Sequence, residues 1–326
     1  TGNIYTSTGN AALVTNTTGD RNTASGGFAL RHSISFSNTA IGASALSDNT
    51  VGHEKTATGD DALGNNTEGS GNTATGVEAL VSNTDGVSNS ALGAGGLRNN
   101  TFGHSNTPIG TGALSSHAFG NFSTAVGAFA LYNSTGSGNV ALGGQAGDNV
   151  TTADHVIVIG TEGANVSDSC YIGNIWNQSG GSQAVYVNSD GKMGAQVSSR
   201  RFKDEIKPLN QASEAIYGLR PVSFRYKAEI EATRPLGFGL IAEEVEEVNP
   251  DLVVRDREAK PYSVRYDQVN AMLLNEFLKE HKTVQEQGKM IARLEKQMEV
   301  LSAALQKVSA QIQINKTALT VVRNNQ

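Results

Sequence analysis

The chain has 326 residues, of which 37 are glycine, while only 6% are aromatic and 17% carry a charge. Globular domains average about 7% glycine and about 25% charged residues, so this composition disfavours a conventional enzyme core. No apolar run reaches the roughly 18 residues of a membrane-spanning helix. The net charge of −6 argues against a nucleic-acid partner.

Charge is distributed unevenly along the chain. Residues 1–197 hold 5 Lys or Arg and 13 Asp or Glu, whereas residues 198–326 hold 20 and 18. This step in charge density predicts a boundary near Ser198 between two kinds of sequence.

Cys170 is the only cysteine, so no disulfide can form within the chain. Because residue 1 is Thr, we expect the sequence to be a mature fragment.

A unit of 16 or 17 residues recurs through the N-terminal half and reads Asn-Thr-Ala-x-Gly-x-x-Ala-Leu-x-x-Asn-Thr-x-Gly. Its first glycine falls at Gly26, Gly42, Gly59, Gly76, Gly93, Gly110, Gly127 and Gly143. Self-similarity at a fixed period indicates stacked units. A unit this short fits two short strands and two tight turns, which is one coil of a parallel β-solenoid. We expect the repeated Asn residues to form side-chain ladders between coils.

Motifs such as residues 22–26 and 72–76 make this repeat similar to the head domains of trimeric autotransporter adhesins, which are left-handed parallel β-rolls assembled as homotrimers. The resemblance covers residues 1–150 and implies a β-roll repeat domain there, with a host surface or glycan as its ligand. No residue identifies that ligand. A thin column with few large apolar side chains buries little surface alone, so we expect it to oligomerise.

Residues 151–197 depart from the repeat, and we interpret them as a β neck. Apolar runs at residues 156–159 and 170–176 predict strands, and residues 184–194 predict a hairpin with its turn at Asp190-Gly191. We interpret Trp176 as an anchor in a trimer core in preference to a platform for stacking a ligand.

The following segment, residues 198–268, predicts a small α+β domain. A basic stretch from Ser198 leads to a helix near residues 211–219, and residues 237–254 read as strand, helix, turn and strand. This segment closely resembles the intramolecular chaperone domain at the C-terminus of phage endosialidases and other phage tail fibres and spikes. The resemblance rests on Ser198, Arg201, Lys203, residues 239–245 and 250–253, and Tyr266.

The resemblance to the chaperone domain implies a homotrimer and a self-processing reaction. In that family the domain helps a β-rich stalk to fold and then cuts itself off just before the serine. The scissile bond would then be Val197–Ser198, with Ser198 as nucleophile, Lys203 as general base and Arg201 in support. The resemblance thus implies a single-turnover serine endopeptidase without cofactor or metal, located in a virion tail, secreted, or on a bacterial cell surface.

Two residues depart from the family pattern: Ser199 stands where Asp is common, and Glu243 where Gln is common. Ser199 is also a rival nucleophile, because on a regular helix it would share a face with Lys203 four residues later. The family register instead implies that Ser198 is an extended or capping residue outside the helix. We therefore prefer Ser198.

A lysine acts as a base only when its amine is neutral. The amine of a free lysine has a pKa of about 10.4 and is therefore protonated at neutral pH. We expect trimer assembly to bury Lys203, and Arg200 and Arg201 to repel its cation, so that the base becomes competent after assembly.

From residue 269 onward, apolar residues alternate at spacings of three and four, which predicts a coiled coil over residues 269–326 that we assign as trimeric. One seam position holds Phe277, Val284, Ile291, Met298, Leu305, Ile312 and Leu319. The other holds Leu273, Glu280, Gln287, Leu294, Leu301, Val308, Asn315 and Val322. Gln287 and Asn315 would fix the register. Similar core asparagines in the stalks of trimeric adhesins can hold an anion, and this resemblance makes Asn315 a candidate anion ligand.

Two other functions remain open at this point. The chain could be an uncleaved structural adhesin whose C-terminal part is only a trimerisation clamp. The repeat domain could instead be a glycan hydrolase that uses Asp60, Asp61 and nearby Glu54. His53 and His104 occupy matching positions three units apart, too far along the column to share a metal, and we expect them at the surface.

Overall fold

The computed structural model describes residues 5–175, 184–188, 190–256 and 258–324, with side chains as far as residue 313. The chain divides into two compact units, Thr1–Gly181 and Ser182–Gln326. Trp176 lies outside the described residues, as do the side chains of Asn315 and of the last two apolar seam residues.

The first unit contains one parallel sheet of eleven strands that neighbour each other in chain order, which confirms the predicted parallel β-solenoid. The strands are β1 (Tyr5–Thr8), β2 (Asn22–Ser25), β3 (Thr39–Ile41), β4 (Thr56–Thr58), β5 (Thr73–Thr75), β6 (Ser90–Leu92), β7 (Thr107–Ile109), β8 (Thr124–Val126), β9 (Val140–Leu142), β10 (Ile157–Ile159) and β11 (Cys170–Ile172). At about 4.8 Å between strands, ten steps make a column about 48 Å long.

The register of the ladder repeats the period of the sequence. Thr56 pairs with Thr73, and Ala57 with Ala74, each 17 residues on. The last step is shorter, because Ile157 pairs with Cys170. The ladder therefore continues past residue 150 through the two apolar runs of residues 151–175.

The prediction of two strands in each coil is wrong, because the Ala-Leu segment is not extended. In the coil after β4, Asp61 has φ of +52° and Leu63 φ of +53°. Left-handed residues at alternate positions curl the backbone and prevent a second strand. The segment is still bonded from coil to coil, since the Leu63 amide donates to the Ala79 carbonyl at 3.0 Å.

The interior of the column is narrow and filled by small residues. The central strand residue Ala57 and the corner pair Ala62 and Leu63 are fully buried, and the equivalent residues of the other coils are buried in the same way.

Coils also touch directly at the first glycine of each unit. A Cβ on Gly76, whose φ is +135°, would lie 2.6 Å from the carbonyl carbon of Gly93. Only glycine permits this approach.

The predicted asparagine ladders are confirmed as two buried columns. In the first, Asn83 Nδ2 donates to Asn66 Oδ1 at 2.7 Å, and Asn100 Nδ2 donates to Asn83 Oδ1 at 2.6 Å. In the second, each Asn accepts from a backbone amide of the next coil, as Asn72 Oδ1 does from the Asn89 amide at 2.9 Å. The second column comprises Asn22, Asn38, Asn72, Asn89, Asn106 and Asn139.

The second unit begins with a hairpin, as the sequence predicts. Strand β12 (Val185–Val187) pairs antiparallel with β13 (Met193–Ala195). A small mixed region follows, with 3-10 helices at Arg200–Phe202, Asn210–Gly218 and Pro250–Leu252, strands β14 (Val222–Phe224), β15 (Gly237–Gly239), β16 (Val253–Arg255) and β17 (Pro261–Val264), and helix α1 (Ala242–Val248). β14 pairs with β15, and β16 with β17.

One helix, α2 (Tyr266–Asn324), ends the chain and runs without interruption through Gly288. Val269 and Met272 in its first turns pack into a small core with Val245, Leu252 and Val264. Beyond those turns, the apolar seam residues as far as Ile312 are exposed in the single chain. Among the described residues, no helix is both long enough and apolar enough to cross a bilayer.

Candidate functional site

Ser198 and Lys203 lie together at the start of the mixed region. The short 3-10 helix Arg200–Phe202 is flanked by extended residues, with ψ of 143° at Ser199 and 130° at Lys203. This compact turn folds the chain back, and Lys203 Nζ donates to Ser198 Oγ at 3.0 Å. A nucleophile and a basic group within hydrogen-bonding reach are the minimum geometry for activating a hydroxyl.

The rival nucleophile Ser199 is placed differently. Pairing of Ser199 with Lys203 requires a regular α-helix, in which residues four apart share a face. The segment instead forms three residues of 3-10 helix, and Ser199 is its N-cap without a side-chain capping bond. The geometry therefore brings Lys203 to Ser198, five residues away.

Arg201 does not reach the pair. Its guanidinium carbon lies 4.6 Å from the centroid of the Phe202 ring, which is cation–π geometry. Both side chains are exposed. Arg201 therefore contacts Phe202. Among the described residues, it makes no hydrogen bond to Ser198 or Lys203.

The bond between Val197 and Ser198 is open to solvent. Val197 is 57% exposed, and every described residue from 184 to 212 is exposed in the single chain. Apolar side chains are frequent in this stretch, including Val185, Met193 and Phe202. Exposed apolar clusters of this kind mark surfaces that another molecule covers.

One contact of this region was not anticipated from the sequence. Gln196 Nε2 donates to Asp267 Oδ2 at 2.7 Å. The two residues are 71 positions apart, and neither belongs to a repeat or motif. No sequence signal pointed to this contact, because the tertiary structure alone brings together two residues this far apart in the chain.

A second polar cluster joins the 3-10 helix Asn210–Gly218 to α2. Glu276 is buried there and accepts hydrogen bonds from Lys279 Nζ at 2.7 Å, from Ser213 Oγ, and from the Tyr217 hydroxyl at 2.9 Å. These donors, Lys279 foremost, lower the pKa of Glu276 to about 2. A carboxylate that is charged and fully bonded in this way is a structural clamp between the two elements.

The other acidic and histidine candidates are scattered. Asp60 and Asp61 lie in the corner after β4 and Glu54 in the corner before it. His104 is exposed, and its Nδ1 accepts from the Val87 amide at 3.0 Å. His53 stacks on Phe36 with ring centroids 4.8 Å apart. Within the described part of the chain, no group of three or more His, Cys, Asp or Glu side chains is placed to hold a metal.

Residues 198–254 match the family described as Chaperone of endosialidase. The chain therefore carries a chaperone-of-endosialidase domain, whose first matched residue is Ser198, and a parallel β-solenoid of about 10 turns in its N-terminal region. No curated protein and no solved structure matches the chain. A domain of this family suggests a role as a trimerisation chaperone, with self-cleavage as a possible activity.

Proposed function

We propose that the chain is a homotrimeric fibre or adhesin-like protein whose C-terminal part aligns three copies, assists folding of the solenoid, and then cuts itself off at Val197–Ser198. The observation that carries this proposal is the 3.0 Å contact between Lys203 Nζ and Ser198 Oγ. It lies at the first residue of the matched domain.

The reaction uses Ser198 on the peptide bond that precedes it. The neutral Lys203 amine accepts the hydroxyl proton as Ser198 Oγ attacks the Val197 carbonyl carbon. The carbon–nitrogen bond breaks, the lysine returns the proton to the departing Ser198 amine, and the Val197 acyl group stays on Oγ as an ester. Water hydrolyses this ester to a Val197 carboxylate and a free Ser198 hydroxyl. One peptide bond and one water are consumed in each chain.

Assembly is supported by apolar surface that a single chain leaves open. On the outer face of the solenoid sheet, strand pairing aligns Leu92, Ile109, Val126, Leu142, Ile159 and Ile172 in one stripe. Most of these side chains are well exposed, with Leu92 at 52%. On α2, the seam from Phe277 to Ile312 is equally open. Contact between copies at the stripe and the seam would bury both surfaces.

The same assembly would prepare the base. In the single chain the Ser198–Lys203 pair is exposed to solvent, and Lys203 Nζ donates to Ser198 Oγ instead of accepting its proton. Covering the exposed segment at residues 184–212 with partner chains would remove water from the amine and favour its neutral form. Cleavage would then follow assembly, which is the order a folding template requires.

The C-terminal template has a physical purpose. Three parallel columns must align contacts between separate chains, and such non-local contacts are slow to form and leave surfaces that are prone to aggregation. A helix seam that aligns three chains raises their effective concentration and sets a common register. Removing the template after folding leaves a product that persists through a kinetic barrier. We place the mature protein on a virion tail or a cell surface, with a host surface or glycan as the ligand of the solenoid.

Mass measurement of the purified protein tests the cleavage. We expect the wild type to yield fragments of 197 and 129 residues instead of one 34.1 kDa chain. Ser198→Ala and Lys203→Met should remain whole, whereas Ser199→Ala should be cleaved, since Ser199 does not contact Lys203. Cleavage of Ser198→Ala at the same bond would contradict the assignment. An intact wild-type trimer would favour the uncleaved adhesin with a trimerisation clamp.

A further inference from the structure

The segment that carries the cleavage site, residues 196–198 directly after β13, is held to the rest of its unit at one polar point. Among the described residues, the hydrogen bonds and ion pairs of residues 184–208 stay within that segment, with one exception. The exception is the bond from Gln196 Nε2 to Asp267 Oδ2 at 2.7 Å. Gln196 directly precedes Val197, the residue whose carbonyl belongs to the scissile bond.

The Asp267 end of this contact is fixed. Asp267 lies in the first turn of α2, between Val264 and Val269, which are both buried in the small core. Just before it in the chain, the Arg265 amide donates to the Leu252 carbonyl at 2.8 Å, and the Tyr266 hydroxyl accepts from the Leu240 amide at 3.0 Å. The carboxylate is therefore presented by a rigid support, whereas the segment around Gln196 is exposed.

We propose, on the basis of the self-cleavage proposed above, that Asp267 is a positioning residue for that reaction: through Gln196 it holds the strand that precedes the scissile bond in place beside Lys203. A hydrogen bond to a carboxylate is shorter and stronger than one between neutral groups. An error of about 1 Å in the placement of a reacting group can cost about 100-fold in rate. The attacking Oγ and the Val197 carbonyl are adjacent in the chain, so their mutual angle depends on how residues 196–198 are held.

This arrangement also connects assembly to cleavage. Asp267 belongs to the helix whose later turns form the predicted coiled coil, and it accepts a hydrogen bond from the segment that is cut. Association along α2 would fix the position of Asp267 relative to the partner chains, and Asp267 would in turn fix the position of Gln196. The contact is therefore a route by which the template can act on the bond it cuts.

The test follows cleavage of the full chain in a translation reaction by pulse and chase, with the rate normalised to the assembled fraction. Asp267→Ala and Gln196→Ala should each slow cleavage by about 10- to 100-fold. The double variant should be no slower than either single variant, because both remove the same contact. Gln196→Ala leaves α2 untouched, so a loss of helix stability cannot account for its effect. Glu286→Ala, an exposed carboxylate further along α2, should cleave at the wild-type rate.

An isosteric exchange gives the decisive readout. Gln196→Glu alone places two carboxylates together and should slow cleavage strongly. Adding Asp267→Asn restores a hydrogen bond of the same length with donor and acceptor reversed, and should restore most of the rate. If the wild type cleaves, Ser198→Ala does not, and the Asp267 variants cleave at the wild-type rate, the positioning role is wrong and the proposed function stands. If the wild type does not cleave, both are wrong.

Discussion

The amine of Lys55 donates a hydrogen bond of 2.9 Å to the backbone carbonyl of Gly69, in the interior of the solenoid. Lys55 occupies the position that asparagine holds in most coils of the second column, and only 1% of it is exposed. It also donates to Asn49 Oδ1. Burial lowers the pKa of this lysine from 10.5 to about 7.

Replacing Lys55 should therefore stabilise the solenoid in a pH-dependent way. In the unfolded chain the lysine is protonated below about 10.5, whereas in the folded chain it loses its proton above about 7. The cost of burying it is complete below pH 7 and fades as the pH rises to 10.5. Lys55→Asn should raise the unfolding free energy by on the order of 4 kcal/mol at pH 6, and by little at pH 10.5. Denaturant unfolding at fixed protein concentration measures this. An equal gain at both pH values would contradict it, and the exposed Arg31→Asn serves as control.

Two adjacent asparagines, one at the surface and one in the buried column, allow the contribution of the column to stability to be measured. Asn66 is fully buried, donates to the Gly69 carbonyl at 3.0 Å and accepts from Asn83, whereas its neighbour Asn65 is exposed. Asn66→Ala leaves buried polar groups without a partner and should lower the unfolding free energy by about 2 to 3 kcal/mol. Asn65→Ala should change it by less than about 0.5 kcal/mol. Thermal unfolding of the two variants compares them directly, and similar losses would show that the column does not carry this stability.

Two glycines of the repeat should respond differently to a methyl group. Gly76→Ala would force a Cβ to within 2.6 Å of the Gly93 carbonyl carbon, so the coils must separate. We expect a loss of at least about 3 kcal/mol. Gly95 has φ of +65° and open space around it, and Glu78 adopts φ of +54° at the equivalent position. Gly95→Ala should cost about 1 kcal/mol. Calorimetry and the yield of folded protein distinguish the two, and a larger loss for Gly95→Ala would refute this account.

The clamp at Glu276 should fail in acid. Its pKa in the folded chain is lowered to about 2 from 4.5, so the stability it provides is complete above about pH 4.5 and is lost as the pH falls toward 2. Glu276→Gln should destabilise the second unit at neutral pH and flatten the pH dependence of its unfolding between 4.5 and 2. Far-ultraviolet circular dichroism of the Ser198→Ala background follows the helix. The exposed Glu286→Gln, which lies outside the seam, is the matched control, and an unchanged acid transition in Glu276→Gln would contradict the clamp.

The period of the repeat was sufficient to predict a parallel solenoid and its asparagine columns. Parallel stacking places residues 16 or 17 apart side by side, so any residue type that recurs at that period must form a ladder. The shape of each coil was not predictable, because the second strand is replaced by left-handed residues such as Leu63 and Asp61. Leucine and aspartate have no strong preference for that conformation, which the coil-to-coil hydrogen bonds impose on them.

For the candidate site too, the sequence determined some features and the tertiary structure decided others. The sequence by itself determined the family of the domain that is matched from Ser198 onward, because several blocks of residue types follow in order there. That resemblance, together with the spacing of Ser198 and Lys203, predicted the pair. The tertiary structure decided that a 3-10 turn with extended flanks brings Lys203 to Ser198 and leaves Ser199 aside. It also decided that Asp267 meets Gln196 and that Lys55 is buried. Such contacts depend on how distant segments pack, and no local spacing encodes them.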